Sequence, residues 1–321
     1  LHKTDVAVLV VDVQAGITPC DMQLLGLFRE KEIPCLVAVN KCDLVKRAGQ
    51  TIEAPDVISR EGWHPLYVSA VRMENIQPLK ESIASMSVLE DKPRRLAADL
   101  IRPLDMVILV VPIDSSAPKG RLILPQQQTI RDILEAGASS LVVRESELED
   151  VLHSLGRRPD MVITDSQVFE EAAAVVPSDI PLTSFSILMA RYKGDLALLA
   201  KGAAALGRLQ DGDRVLISEG CTHHRQCGDI GTVKLPAMIR RGTKKELLFS
   251  FTAGTEFPED VSSCKMVVHC GGCMLNRREM HYRLGCCREQ GVPVTNYGVL
   301  IAYLNGIPER ALEIFGGQEL F

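Results

Sequence analysis

Pro34-Cys35-Leu36-Val37-Ala38-Val39-Asn40-Lys41-Cys42-Asp43 joins an uninterrupted apolar run to a polar turn. Such a run predicts a strand buried inside a parallel sheet, with the polar residues at its carboxyl end. The stretch before it has the same form. Val6-Ala7-Val8-Leu9-Val10-Val11-Asp12 predicts a strand buried on both faces and closed by a carboxylate, and Asp21 to Glu32 reads as a helix with Leu24, Leu25, Leu27 and Phe28 inward. Pro65-Leu66-Tyr67-Val68 predicts a third strand that delivers Ser69-Ala70, and Asn75 to Val88 a helix. Ligands of open α/β sheets bind beyond the carboxyl ends of strands. Both polar motifs are therefore expected on one functional rim.

Composition narrows the class. A chain of 321 residues with 46% hydrophobic and 24% charged residues has room for two or three ordinary cores, and it reads as a folded soluble protein, not a disordered one. A net charge of −5 without a basic stripe argues against nucleic acid as the main partner. Apolar runs such as Met106 to Val111 are too short to span a bilayer. The ten cysteines are scattered and no signal peptide precedes them, which fits a reducing cytoplasm better than a secreted disulfide scaffold. The chain opens Leu1-His2-Lys3-Thr4-Asp5 straight into a strand pattern, so the natural protein is expected to begin upstream.

Asn40-Lys41-Cys42-Asp43 followed by Ser69-Ala70 resembles the guanine-recognition pair of the Era-like GTPases, and the stretch Asp12 to Asp43 resembles that family throughout. The resemblance implies that Asp43 accepts hydrogen bonds from guanine N1–H and N2–H₂, which excludes adenine because its edge would leave the carboxylate unpaired. It implies that Asn40 braces the loop, Lys41 lies along the base plane, and the Ala70 N–H meets guanine O6. Taken alone, the first motif also fits a polar strand-to-helix turn. Two motifs in order at strand ends favour nucleotide recognition. The G-x-x-x-x-G-K-[ST] phosphate cradle is absent from the sequence. The fragment, read as the carboxy-terminal part of a GTPase domain over 1–90, is expected to be inactive alone, with the sites for phosphate and Mg²⁺ lying upstream.

Lys92-Pro93-Arg94-Arg95 reads as a linker, after which strands and helices alternate. Strands are expected at Asp105–Val111, Ser139–Val143, Asp160–Thr164 and Leu182–Ser186. Helices are expected at Gln126–Glu135, Glu145–Leu155 and Val168–Val175. This is the pattern of a small parallel α/β domain over 98–180. It carries no legible chemistry, and assembly of a homodimer is its expected role.

A third domain, over 181–321, is expected to hold a helix at Tyr192–Leu206 and strands at Arg214–Ser218 and Lys265–Val268, with helix from Leu275 onward. The two strands run into Cys221-Thr222-His223 and His269-Cys270-Gly271-Gly272-Cys273. Thiolate and imidazole are ligands of zinc and of iron–sulfur clusters, and a Cys-x-x-Cys in a glycine loop aims two sulfurs at one centre. Gly271 and Gly272 let N–H groups approach sulfur. Three cysteines are placed naturally and the fourth ligand is open, with Cys227, Asp229, His223, His269 or exchangeable solvent as candidates. Cys264, Cys286 and Cys287 read as structural thiols, and Cys20, Cys35 and Cys42 belong to the first domain.

The pattern C-x-H … H-C-x-x-C behind an Era-like domain and an α/β spacer resembles the HydF family, the GTPases that mature [FeFe]-hydrogenase. The resemblance covers the whole chain, and the segment Pro112 to Gln126 is of that family's kind. It implies three α/β domains for GTP, dimerisation and cluster binding, and a [4Fe–4S] cluster on Cys221, Cys270 and Cys273. It also implies a scaffold role: receiving a di-iron precursor from two radical-SAM maturases and passing it to the hydrogenase apoprotein. Three thiolates would leave one iron open for such cargo, and Cys227 is the residue able to close it. Other readings stay open on the residues alone: a GTP-binding regulatory protein with a structural zinc site, a ribosome-associated GTPase, and a hydrolase using Cys and His.

Overall fold

The computed structural model describes residues 4–47, 63–88, 95–113, 121–221, 229–254 and 256–317. They form two compact units, Leu1–Pro93 and Arg94–Phe321.

The first unit is a parallel sheet of β1 (Ala7–Asp12), β2 (Cys35–Asn40) and β3 (Leu66–Tyr67), in that spatial order. Helix α1 (Pro19–Glu30) starts two residues earlier than the apolar pattern suggests, because Thr18 caps it. The Thr18 hydroxyl accepts the Asp21 N–H at 3.3 Å while the Asp21 carboxylate accepts the Thr18 N–H at 2.8 Å. This reciprocal box satisfies donors that the first turn leaves open. Leu25 and Phe28 then pack on Leu9, Val11, Val37 and Val39. Helices α2 (Cys42–Arg47) and α3 (Ile76–Val88) follow their strands. One expectation needs correction: β1 is not buried on both faces. Val8 and Val10 are 38% and 61% exposed, since the described residues cover only the face that carries Leu9 and Val11.

The second unit contains two four-stranded parallel sheets. The first comprises β4 (Met106–Val110), β5 (Ser139–Val143), β6 (Met161–Thr164) and β7 (Leu182–Ser184), ordered β5-β4-β6-β7. Its helices are α4 (Leu124–Glu135), α5 (Leu148–Ser154) and α6 (Phe169–Val175). β7 ends at Ser184, two residues short of the expected strand, because the Ser184 hydroxyl caps α7 (Phe185–Lys193) by accepting the Ile187 N–H at 3.3 Å. The single helix expected over Tyr192–Leu206 is two helices. α7 stops at Gly194, and α8 (Leu196–Ala204) is restarted by Asp195, whose carboxylate accepts the Leu198 N–H at 3.0 Å.

The second sheet comprises β8 (Arg214–Ser218), β9 (Leu248–Thr252), β10 (Met266–His269) and β11 (Val294–Asn296), ordered β11-β10-β8-β9. Helices α9 (Leu235–Thr243), α10 (Arg277–Glu289), α11 (Tyr297–Leu304) and α12 (Pro308–Leu312) complete it. Ile108 and Val162 of the first sheet belong to the same buried cluster as Val215 and Val267 of the second, so one core runs through the unit. α8 approaches β11 so closely that a Cβ on Gly202 would lie 1.8 Å from the Val294 carbonyl oxygen.

Candidate functional site

Two rims collect the residues that the sequence singles out, one in each unit. In the first, parallel pairing sets Asp12 beside Asn40 at the ends of β1 and β2. Lys41 takes a left-handed φ of 65° there, and its ammonium lies 2.7 Å from an Asp12 carboxylate oxygen. That hydrogen bond holds the Asp12 carboxyl below its ordinary range. Asn40 Oδ1 accepts the N–H groups of Lys41 at 2.8 Å and of Ala70 at 3.1 Å, so its side chain ties the two motif loops together. Asp43 is buried, and the Ser69 hydroxyl donates to it at 2.7 Å, which fixes the orientation of the carboxylate. The loop that carries Ser69 and Ala70 is closed by a paired exchange between Ser69 and Glu74, at 3.1 Å each way.

The second rim lies at the carboxyl ends of β8 and β10. Register pairs His269 with Ser218, and the Cys270 N–H continues the ladder to the Ser218 carbonyl at 2.9 Å. The chain leaves β8 through Glu219 and Gly220 to Cys221, and leaves β10 directly into Cys270. Gly220 and Gly272 donate their N–H groups to the Cys270 sulfur at 3.0 and 3.3 Å. Gly220 has no room for a side chain, since a Cβ would sit 2.7 Å from Leu275 Cγ. Gly272 turns with a φ of +62°, a conformation that favours glycine. The loop then enters α10, whose Asn276 cap accepts the Glu279 N–H at 2.9 Å.

The structure brings Cys221, Cys270 and Cys273 together. Cys221 and Cys273 share a hydrogen bond, which raises the Cys221 thiol and lowers that of Cys273, so Cys273 ionises first. Burial pushes Cys270 up to about 11, opposed by the two N–H groups aimed at its sulfur. Among the described residues, no three His, Cys, Asp or Glu side chains close around one point as a single metal ion requires. Soft thiol donors with N–H groups directed at sulfur suit an anionic thiolate-bound cluster, whose ligands are spread over several irons.

His269 is almost fully buried, and burial lowers its pKa to about 4. Its Nδ1 lies 2.8 Å from the Cys270 carbonyl oxygen, and Arg283 Nη1 lies 3.1 Å from Nε2. Since a guanidinium only donates, Nε2 accepts and Nδ1 carries the proton. Both ring nitrogens are thus engaged within the protein. Asp229 is buried as the cap of a short π-helix, its carboxylate accepting the Thr232 N–H and hydroxyl at 2.8 Å each. His223 and Cys227 lie outside the described residues.

Residues that the sequence did not mark complete this rim. Arg283 is fully buried and binds Glu279 at 2.8 Å, the Gly254 carbonyl at 2.8 Å and the His269 ring, linking α10 to the ends of the strands. Lys193 is also buried and donates to the carbonyls of Gly272, Cys273 and Leu275. Burial lowers its pKa, while Cys273 and Cys270 act to raise it. The Tyr297 hydroxyl donates to Glu219 at 3.3 Å behind Cys221. In sequence each of these is an ordinary helix or turn residue, and no spacing marks it.

Comparison with known proteins agrees with this division. A family model described as the elongation factor Tu GTP binding domain matches residues 1–88. The hydrogen maturase F dimerization domain matches 96–194, and the hydrogen maturase F tetramerization domain matches 197–314. GTPase Der of Synechococcus sp. (strain RCC307) is 31% identical over 143 residues, 41% of this chain and 30% of that protein. Translation initiation factor IF-2 of Synechococcus sp. (strain CC9902) is 30% identical over 143 residues, 42% of this chain and 12% of that protein. The chain thus spans less than a third of the length of these relatives. Fold and matches together define a three-domain α/β protein with a GTP-binding-type domain at its front. The chain belongs to the hydrogen maturase F family.

Proposed function

We propose that this chain is part of a GTP-dependent scaffold for [FeFe]-hydrogenase maturation, carrying a [4Fe–4S] cluster on Cys221, Cys270 and Cys273. The observation that supports this most directly is the convergence of the three thiols on one rim of the second unit, with Cys270 already bound by two N–H groups. Held by these three cysteines, such a cluster would leave one iron with an exchangeable ligand, where a di-iron precursor would be carried as cargo. The protein's own contribution is to hold the thiolates: Gly220 and Gly272 direct their N–H groups to sulfur, and His269 is held by Arg283 as a support for the loop, not as a ligand. The partners in this reading are radical-SAM maturases and the hydrogenase apoprotein, in the cytoplasm, with self-association through the middle and carboxy-terminal domains. The expected division is a GTPase part over 1–90, a dimerisation part over 98–180 and a cluster part over 181–321.

In the first unit, Asp43, oriented by Ser69, reads the guanine edge, while Asn40 holds the Ala70 loop in place. GTP acts as a switch for partner release. Anaerobic reconstitution with iron and sulfide, read by absorbance and EPR, tests the cluster. Wild type is expected to bind iron and sulfide, and the serine variants of Cys221, Cys270 and Cys273 to lose them. Colourless protein carrying zinc alone would overturn the reading. Cys227→Ser separates an open site, where the spectrum is unchanged and still responds to cyanide, from a cubane closed by four thiolates.

A further inference from the structure

We propose that Lys193 is the positioning residue of the cysteine loop and the buried counter-charge of the anionic cluster held there, so that it sets both the retention and the reduction potential of that cluster. This rests on the cluster reading above and extends it to a residue outside the ligand set.

The argument begins with hydrogen-bond capacity. An ammonium has three N–H donors, whereas a neutral amine has two. Lys193 Nζ meets three acceptors, the carbonyls of Gly272 at 3.1 Å, Cys273 at 2.7 Å and Leu275 at 2.7 Å. The set therefore matches the charged form. The three carbonyls belong to the short run between Gly272 and the α10 cap, so one side chain clamps the part of the loop that sets the direction of Cys273. Lys193 is only 9% exposed, and among the described residues no carboxylate forms an ion pair with it. A buried cation whose hydrogen bonds all go to neutral carbonyls is costly to hold, and an anionic thiolate-bound cluster on the loop it clamps would compensate its charge.

Its position is inherited from elsewhere in the fold. Lys193 is the last residue of α7, which descends from the first sheet of the unit. The other end of α7 is tied down at Ser186, whose hydroxyl accepts the Gly298 N–H and the Asn296 side-chain amide at 3.1 Å each. The clamp is therefore anchored to β11 and α11 independently of the loop it holds.

Cluster potential depends on local charge and on hydrogen bonding around the sulfurs. Removing a nearby positive charge disfavours the reduced, more negative state. The test reconstitutes wild type, Lys193→Met and Lys193→Arg anaerobically in the full chain. EPR-monitored redox titration and iron release to a chelator are the readouts, and circular dichroism checks folding. Lys193→Met is expected to lower the midpoint potential and to release iron on the order of tenfold faster, as the loss of two or three hydrogen bonds implies. Lys193→Arg, which keeps the charge, is expected to keep a potential close to wild type. If Lys193→Met does not fold, Lys193→Gln retains two N–H donors without the charge and should still lower the potential. An unchanged potential in a folded, loaded Met or Gln variant overturns the inference, as does a shift of equal size in Lys193→Arg. A wild-type chain that binds no cluster overturns the cluster reading itself, which the iron and sulfide content of the wild type reports separately.

Discussion

At the scale of single residues, buried charge carries much of the design of the second unit. Arg283 and Glu279, one turn apart on α10, are both nearly inaccessible, and the guanidinium also serves Gly254 and His269. Removing one member of such a pair leaves the other charged and buried, at a cost of about 3–5 kcal/mol, whereas replacing both by apolar groups is often tolerated. Arg283→Met is expected to lower denaturant stability by that amount, and Arg283→Met with Glu279→Leu to recover much of it. Equal losses in the single and double variants would show that the pair is not the source of the effect. On the other rim, the guanine reading proposed for Asp43 is tested by Asp43→Asn, which exchanges an acceptor for a donor. Under that proposal the variant should weaken guanine nucleotide binding on the order of 10²-fold, measured by fluorescent nucleotide titration.

At the scale of elements, close approach is decided by glycine. Gly202 lies in the interior of α8, where glycine usually costs stability, yet the β11 backbone occupies the space its side chain would need. Gly202→Ala must push α8 off β11 and is expected to cost about 1–3 kcal/mol or more, read from thermal melts. Gly207, whose Cβ would meet nothing within 4 Å, serves as a control, and Gly207→Ala should leave the melt nearly unchanged. The break between α7 and α8 belongs to the same scale. Gly194-Asp195 is a stop followed by a cap, a signal visible in the sequence that a continuous apolar pattern on either side obscured.

At the scale of the molecule, the largest core of the second unit draws on both of its sheets, Ile108 and Val162 with Val215 and Val267, beside a second cluster around Val107, Leu109 and Ile133. A shared core predicts one cooperative transition, not two. Residues 94–321 produced alone are expected to melt in a single step with coincident calorimetric and circular dichroism profiles. Two resolved steps would show that the middle and carboxy-terminal domains unfold independently. No helix among the described residues is long and apolar enough to cross a membrane.

The strands and the rims were legible without coordinates because both have local causes. A buried parallel strand must be apolar along its length, and ligand-bearing residues collect where such strands end, so Asn40, Asp43, Cys221, Cys270 and Cys273 could be placed from the sequence alone. The strands β9 and β11 escaped notice because segments of only five and three residues, with three apolar residues in the first and one in the second, do not distinguish strand from helix or turn. What only the tertiary structure decided is how the cysteine loop is held. Lys193 comes from 79 residues away in the chain, and Arg283 meets His269 through the packing of α10 on the sheet. Neither contact has a sequence period, because hydrogen bonds between distant segments are set by where the core places the backbone. The sequence by itself determined which residues stand at the ends of the strands; the fold determined the charges and N–H groups that surround them.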